Sequence, residues 1–149
     1  MNNPGAYPVL LAEDNEGDLI FLQRAIRKAG VPISLHVVSN GEEAVSYLLG
    51  EGQYADRERY PEPVILITNV KMPRMNGLEL LTWVKQQSNY KHLPVLVMSS
   101  SEEPEEMNQV TALGGCVYFV KTSNLDTLTE FVKQMMTYIR DQESVTSDQ

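Results

Sequence analysis

Five polar side chains follow apolar runs of the sequence, at the points where buried strands would end. They are Glu13, Asp14, Asn69, Ser99 and Lys121. Two carboxylates, an amide, a hydroxyl and an ammonium group would together suit a hard, oxygen-binding cation and a phosphoryl group. Taken singly, each has an ordinary explanation, because an acidic pair often starts a helix, a serine forms a turn and a lysine ends a strand in solvent. The chemistry therefore depends on whether the fold brings the five together.

The apolar runs alternate with helical patterns along the chain, and this alternation predicts the fold. Strands and helices in turn are typical of an α/β protein, in which right-handed crossovers make the sheet parallel. We expect a flavodoxin-like, doubly wound (βα)5 fold with a five-stranded sheet in the order 2-1-3-4-5. In this order the polar ends of the first, third, fourth and fifth strands meet at one edge of the sheet.

The length of the chain fits one domain. Residues 1–6 are small and polar and are expected to be flexible, residues 7–140 form the domain, and residues 141–149 form a polar tail. The last helix is predicted from about Asp126 to Arg140, because a polar segment follows.

Charge and composition exclude several classes of protein. The net charge of −8 arises from 12 basic and 20 acidic residues, whereas a general nucleic-acid binder needs a basic face. The sequence has no signal-peptide pattern, no apolar run that could span a bilayer and no DNA-binding module after the domain. The lone Cys116 forms no internal disulfide and is expected to be a small buried hydrophobe. We expect a cytoplasmic protein without nucleic-acid or membrane partners.

The segment VILITNVKMPRMNG, from Val64 to Gly77, resembles the phosphoacceptor segment of response regulator receiver domains. The resemblance continues from Val9 to about Ile139. It implies a Mg²⁺ site with Asp14 as a direct ligand, Glu13 acting through water, the backbone carbonyl of Lys71, and the side chain at the phosphoacceptor position.

The same resemblance implies roles for three further side chains. Ser99 matches the hydroxyl that hydrogen-bonds the phosphoryl group, and Lys121 matches the ammonium group that neutralises it. Tyr118 matches the aromatic residue whose rotamer follows that hydroxyl. A protein of this kind is a signalling module rather than an enzyme.

Asn69 departs from the family at the phosphoacceptor position, where an aspartate accepts phosphate from a kinase histidine. A carboxylate oxygen can attack phosphorus, but a neutral amide has no comparable nucleophile. The amide also removes one negative charge from the Mg²⁺ site, so we expect weaker cation binding. Asn69 therefore indicates a pseudo-receiver that signals by docking, although an engineered Asp-to-Asn change would give the same sequence.

Thr122 is a second departure, because the family usually has proline after the lysine. A cis bond without proline costs roughly 3–4 kcal/mol, so the bond between Lys121 and Thr122 is predicted to be trans. We expect Lys121 then to point less directly into the pocket.

Other details resemble the phytochrome-associated group of single-domain response regulators. They are the long polar insert from Gly50 to Pro63, the Gly-Asp start of the first helix and the Ser-Ser-Ser end of the fourth strand. The resemblance implies a phytochrome-like histidine kinase as partner.

Two other classes fit less well. A small carboxylate-dependent phosphatase of α/β fold would require Asp-x-Asp after the first strand, but this chain has Glu13-Asp14-Asn15 and a neutral Asn69. A flavodoxin-like electron carrier would need a phosphate-binding first loop, and an acidic loop repels a flavin phosphate.

The last helix predicts a homodimer through the fourth helix, the fifth strand and the fifth helix. Phe131 and Tyr138 lie together at one flank of its apolar stripe and widen the apolar face. Alternatively, both rings fold down over the neighbouring helix and close the edge of the core. Receiver domains commonly pair through this face, so the resemblance favours the dimer.

Overall fold

The computed structural model describes residues 5–147, with side chains through residue 143. The elements are β1 (Tyr7–Ala12), α1 (Glu16–Ala29), β2 (Ile33–Val38), α2 (Gly41–Leu49), a short 3-10 turn (Gly52–Ala55), β3 (Ile65–Asn69), α3 (Gly77–Gln86), β4 (Val95–Ser99), α4 (Pro104–Ala112), β5 (Val117–Val120) and α5 (Leu125–Ser147). The strands form one parallel sheet in the order β2-β1-β3-β4-β5, as predicted.

Helices cover both faces of the sheet, and alternate strand residues supply the two cores. Leu10, Leu66 and Val97 face α2, α3 and α4, whereas Val9 and Ile67 face α1 and α5. Both faces of β1, β3 and β4 are thus covered, which explains their nearly continuous apolar sequences. Their carboxyl ends remain open, and the polar residues lie there.

Side-chain caps fix where the helices next to that edge begin. Asn15 accepts a hydrogen bond from the N–H of Asp18 at the start of α1. Asn76 and Glu79 form a capping box at the start of α3. Such caps satisfy N–H groups that have no partner within the helix, and they set the directions in which the loops leave the strands.

The polar insert is anchored by Arg57, which closes the end of α2. Its guanidinium group donates to the carbonyl oxygens of Tyr47 at 2.9 Å and Leu48 at 2.6 Å. The ring of Tyr54 packs against Tyr47 and Tyr60, with both centroid distances 5.1 Å. The insert is therefore a packed part of the domain.

Two expectations at the carboxyl-terminal end of the chain are wrong. Helix α5 continues to Ser147, well past Arg140, so the predicted polar tail is helical over most of its length. Cys116 is exposed rather than buried, because it lies just before the short edge strand β5. Residues 1–4, in the segment predicted to be flexible, and residues 148–149 lie outside the described part of the chain.

Phe131 does not add exposed surface to α5, so that part of the dimer argument is wrong. It is 7% exposed and stacks on Phe119 with the ring centroids 4.2 Å apart. Tyr138 is half-buried. An exposed apolar residue on this side is Val117 on β5, which is 39% exposed because an edge strand has a neighbour on one side only.

Candidate functional site

The structure brings all five strand-end side chains to one edge of the sheet. Glu13, Asn69 and Ser99 are buried, whereas Asp14 is exposed and Lys121 is half-buried. All of these except Glu13 line a cleft of about 460 Å³. The parallel sheet therefore produces the cluster that the sequence predicted.

The Asn69 amide nitrogen faces three oxygen atoms. Nδ2 lies 3.1 Å from Oε2 of Glu13, 3.4 Å from Oδ1 of Asp14 and 2.9 Å from the backbone oxygen of Lys71. An amide nitrogen carries two protons, so the two shorter contacts are the stronger hydrogen bonds. These oxygens belong to the three other residues that the resemblance assigns to the Mg²⁺ site.

Gly77 explains how the loop after β3 packs so closely on the strand end. Its N–H donates to the carbonyl oxygen of Val70 at 2.8 Å. A Cβ atom at this position would lie 2.1 Å from the backbone oxygen of Asn69, which is far inside van der Waals contact. Glycine thus permits the start of α3 to pass directly over Asn69.

Lys121 forms the second half of the site. Its Nζ donates to Oε1 of Glu13 at 2.9 Å and to Oδ2 of Asp18 at 2.7 Å. Burial opposes its charge, but the hydrogen bonds to Asp18 and Glu13 outweigh burial and raise the pKa of Lys121. Both carboxylate oxygens of Glu13 consequently have protein donors, because Oε1 accepts from Lys121 and Oε2 accepts from Asn69 and from the N–H of Asn15.

The peptide bonds of the described residues are all trans, including the bond between Lys121 and Thr122, as predicted. The further expectation, that Lys121 points less directly into the pocket than in the family, stays a prediction; in this structure its ammonium group reaches Glu13. Asp18 was not predicted as a site residue. Asp18 lies in the first turn of α1, and only its contact with Lys121 shows that it belongs to the site.

The oxygen atoms present suit a hard cation in kind but carry little charge. Asp14, Glu13 and the Lys71 carbonyl offer oxygens, and the Asn69 side chain could add its Oδ1 if the amide rotated. Within the described residues, no three His, Cys, Asp or Glu side chains are grouped so that they could hold a metal ion. The site thus offers a hard cation two carboxylates and two neutral oxygens.

Ser99 and Tyr118 meet a residue that the sequence did not single out, Glu106 on α4. The Ser99 hydroxyl donates to Oε2 of Glu106 at 2.6 Å, and the Tyr118 hydroxyl contacts the same oxygen. Tyr118 also lies 2.7 Å from the backbone oxygen of Ser101. Burial and the hydrogen bond to Glu106 raise the pKa of Tyr118.

An apolar groove of about 560 Å³ lies on the far side of Tyr118, between β5 and α5. Val117, Tyr118, Phe119, Phe131 and Tyr138 are among the residues that line it. The two aromatic residues proposed for the dimer interface are therefore neighbours in the structure, with Phe131 in the floor. Tyr118 connects this groove to the polar cleft through Glu106 and Ser99.

Comparison with known protein families gives a match over most of the chain. The family described as "Response regulator receiver domain" matches residues 9–133.

No helix in the described part of the chain has the length and apolar character needed to cross a membrane.

Several similar proteins are response regulators of phytochrome systems. A response regulator in red light signaling of R. palustris has a TM-score of 0.82 and 29% identity, covering 87% of this chain and 90% of that one. The phosphorylated cyanobacterial phytochrome response regulator RcpA has a TM-score of 0.81 and 28% identity, covering 93% and 96%. Response regulator Rcp1 of Synechocystis sp. is 26% identical over 125 residues, covering 84% of this chain and 83% of Rcp1. The Mn²⁺-bound form of Rcp1 has a TM-score of 0.76 at 25% identity, covering 89% and 93%.

Proposed function

Because the chain belongs to the response regulator receiver domain family, we propose that it serves a phytochrome-type histidine kinase and signals by docking rather than by accepting phosphate. The observation that carries this proposal is the Asn69 amide at the end of β3. Its nitrogen faces Glu13, Asp14 and the Lys71 carbonyl, where a phosphoacceptor would need a free carboxylate oxygen. The chain thus keeps the surroundings of a receiver site without its nucleophile.

The kinase assignment is supported by the relatives. The R. palustris protein and RcpA are described as response regulators of red-light and phytochrome signalling, respectively. This chain shares their fold over most of its length. We place it in the cytoplasm with such a kinase, as a signalling module rather than an enzyme.

We expect Mg²⁺ to bind weakly. Asp14 and the Lys71 carbonyl would hold the cation directly, Glu13 would act through water, and Asn69 would contribute its Oδ1 only if the amide rotated. A bound cation would supply positive charge for a phosphoryl group. Because a neutral amide replaces one carboxylate, the affinity for Mg²⁺ falls below that of an Asn69→Asp variant.

Docking uses the groove between β5 and α5, with a second copy of the chain as one partner. Val117 on β5 lines the groove and is 39% exposed, and Met107 on α4 is 38% exposed. A two-fold pairing would cover both copies of this surface. Since Asn69 takes no phosphate, the pairing does not depend on a phosphodonor.

Phosphotransfer from a kinase tests the proposal. We would mix the chain with an autophosphorylated phytochrome-type histidine kinase carrying ³²P and follow the label by gel. The label is expected to stay on the kinase histidine, whereas Asn69→Asp removes it. Calorimetry should detect binding of both proteins to the kinase. Transfer of label to the wild-type chain, or absence of any binding, would contradict the proposal.

A further inference from the structure

Glu106 joins two hydroxyl groups that belong to different parts of the domain. Ser99 lies at the end of β4, Tyr118 lies on β5, and Glu106 is the third residue of α4. Both hydroxyls meet Oε2 of the same carboxylate. One side chain thus connects the polar cleft, the fourth helix and the edge strand.

The Ser99 hydroxyl has partners within the chain both as a donor and as an acceptor. It is 4% exposed, it gives its single proton to Glu106 at 2.6 Å, and its oxygen accepts the N–H of Ser101 at 3.1 Å. A carboxylate only accepts hydrogen bonds, and such charge-assisted bonds are stronger than neutral ones. Ser99 therefore has an anionic acceptor within the chain.

Tyr118 is held by the same residue from the other side. Its one proton is shared between Glu106 and the backbone oxygen of Ser101, and its ring forms part of the groove between β5 and α5. A change in the rotamer of Tyr118 would break these contacts and alter the wall of the groove.

We propose that Glu106 is a positioning residue that holds Ser99 and Tyr118 in one arrangement without phosphate, and so keeps the groove in one shape. A hydroxyl gives its proton to one acceptor at a time, so Ser99 could bond a phosphoryl oxygen only by leaving Glu106. With an amide at residue 69, no phosphoryl group arrives to compete for the Ser99 proton. This inference rests on the proposed function for that absence of phosphate and for the consequence at the groove.

The aromatic ¹H–¹³C NMR spectrum of the tyrosine rings measures this arrangement directly. The chain has 7 tyrosines, and Tyr118→Phe identifies the Tyr118 signal by its loss. We expect Glu106→Ala to shift and broaden the Tyr118 signal while the other tyrosine signals stay in place, which also shows that the fold is intact. Glu105→Ala is the matched control, because Glu105 is exposed on the same helix and carries the same charge.

Glu106→Gln keeps an acceptor oxygen at the same position, so its Tyr118 signal should stay close to that of the wild type. This variant also tests the contact if the alanine variant does not fold, because replacing the carboxylate that accepts from the phenol should lower the pKa of Tyr118, and an unchanged pKa would overturn the inference. A Tyr118 signal that is unchanged in Glu106→Ala would overturn the inference. An equal shift in Glu105→Ala, or a full shift in Glu106→Gln, would do the same.

Sedimentation of the same variants separates this inference from the proposed docking. We expect Glu106→Ala to weaken self-association and Glu105→Ala to leave it unchanged. If the wild type stays monomeric while the Tyr118 signal responds as expected, the proposed docking surface is wrong and the role of Glu106 stands.

Discussion

Replacing Asn69 with aspartate should make the stability of the fold depend on Mg²⁺. In the wild type, the amide donates hydrogen bonds to Glu13 at 3.1 Å and to the Lys71 carbonyl at 2.9 Å. An aspartate has the same shape but brings an oxygen where the nitrogen was, so donors are lost and a negative charge is placed beside Glu13 and Asp14.

Two contributions determine how much Asn69→Asp lowers the free energy of unfolding. Losing the hydrogen bond to the charged Glu13 costs roughly 1.5–3 kcal/mol, and losing the one to the neutral Lys71 carbonyl costs roughly 0.5–1.5 kcal/mol. Both costs are reduced here because water enters the cleft. The added charge cannot cost much more than about 4 kcal/mol at pH 7, because an aspartate with a pKa near ~3.9 would then bind a proton instead. We therefore expect Asn69→Asp to lower the free energy of unfolding by about 2–4 kcal/mol in EDTA.

Mg²⁺ should recover most of that loss in Asn69→Asp and little in the wild type. A cation at about 100 times its Kd adds about 2.7 kcal/mol to the stability of the state that binds it. Urea denaturation with EDTA or with Mg²⁺ measures both quantities. Asn124→Asp is the control, since it makes the same chemical change at an exposed helix cap. Equal stability of wild type and Asn69→Asp in EDTA, or equal gains from Mg²⁺, would refute the reasoning.

Three further predictions concern the surroundings of this site. Lys121→Met should lower the free energy of unfolding by about 3–5 kcal/mol, because it removes the ion-pair partner of the buried Glu13 carboxylate. Asp18→Asn should lower it by about 1 kcal/mol or less, because Asp18 is partly exposed. Since the pKa of Lys121 is raised, its contribution to stability is complete below the unfolded-state pKa of about 10.4 and is lost only above it. The cost of Lys121→Met measured by urea denaturation should therefore stay constant from about pH 6 to 9. Glu106→Ala should lower the pKa of Tyr118 in an NMR titration, because a carboxylate that accepts from the phenol favours its neutral form; an unchanged pKa would argue against their contact. Gly77→Ala should lower the free energy of unfolding in urea by at least about 1–3 kcal/mol, because its Cβ would lie 2.1 Å from a backbone oxygen. An unchanged free energy would show that the loop can shift.

The sequence predicts the convergence of Glu13, Asn69, Ser99 and Lys121 because a parallel sheet allows few alternatives. Apolar runs with polar ends determine the strands, and right-handed crossovers then place those ends at one edge. The strand order and the gathering of these side chains follow from that rule. The hydrogen-bond partners of each side chain do not, because they depend on rotamers.

Glu106 and Asp18 were missed because both lie on helices among other acidic residues. Glu106 is one of four glutamates in the segment SEEPEE. Nothing in the sequence shows which of the four side chains points toward Ser99 and Tyr118. Its role follows from how α4 packs against β5.

The sequence pattern did not predict the burial of Cys116 and Phe131, which lie near the edge of the sheet. Burial of residues near β5 depends on how completely α4 and α5 cover a strand that has only one neighbour. Periodicity predicts the apolar face of a helix, but it does not show how far that face extends beyond the sheet. As a result, the sequence predicted a buried cysteine and an exposed phenylalanine, and the structure has the reverse.

The mass of the intact protein after incubation with acetyl phosphate and Mg²⁺ tests the central claim most directly. The wild-type chain should gain no phosphoryl group, because Asn69 has no nucleophilic oxygen at the end of β3, and Asn69→Asp should gain one. A stoichiometric added phosphoryl mass on the wild type, mapped to the loop after β3, would contradict the account.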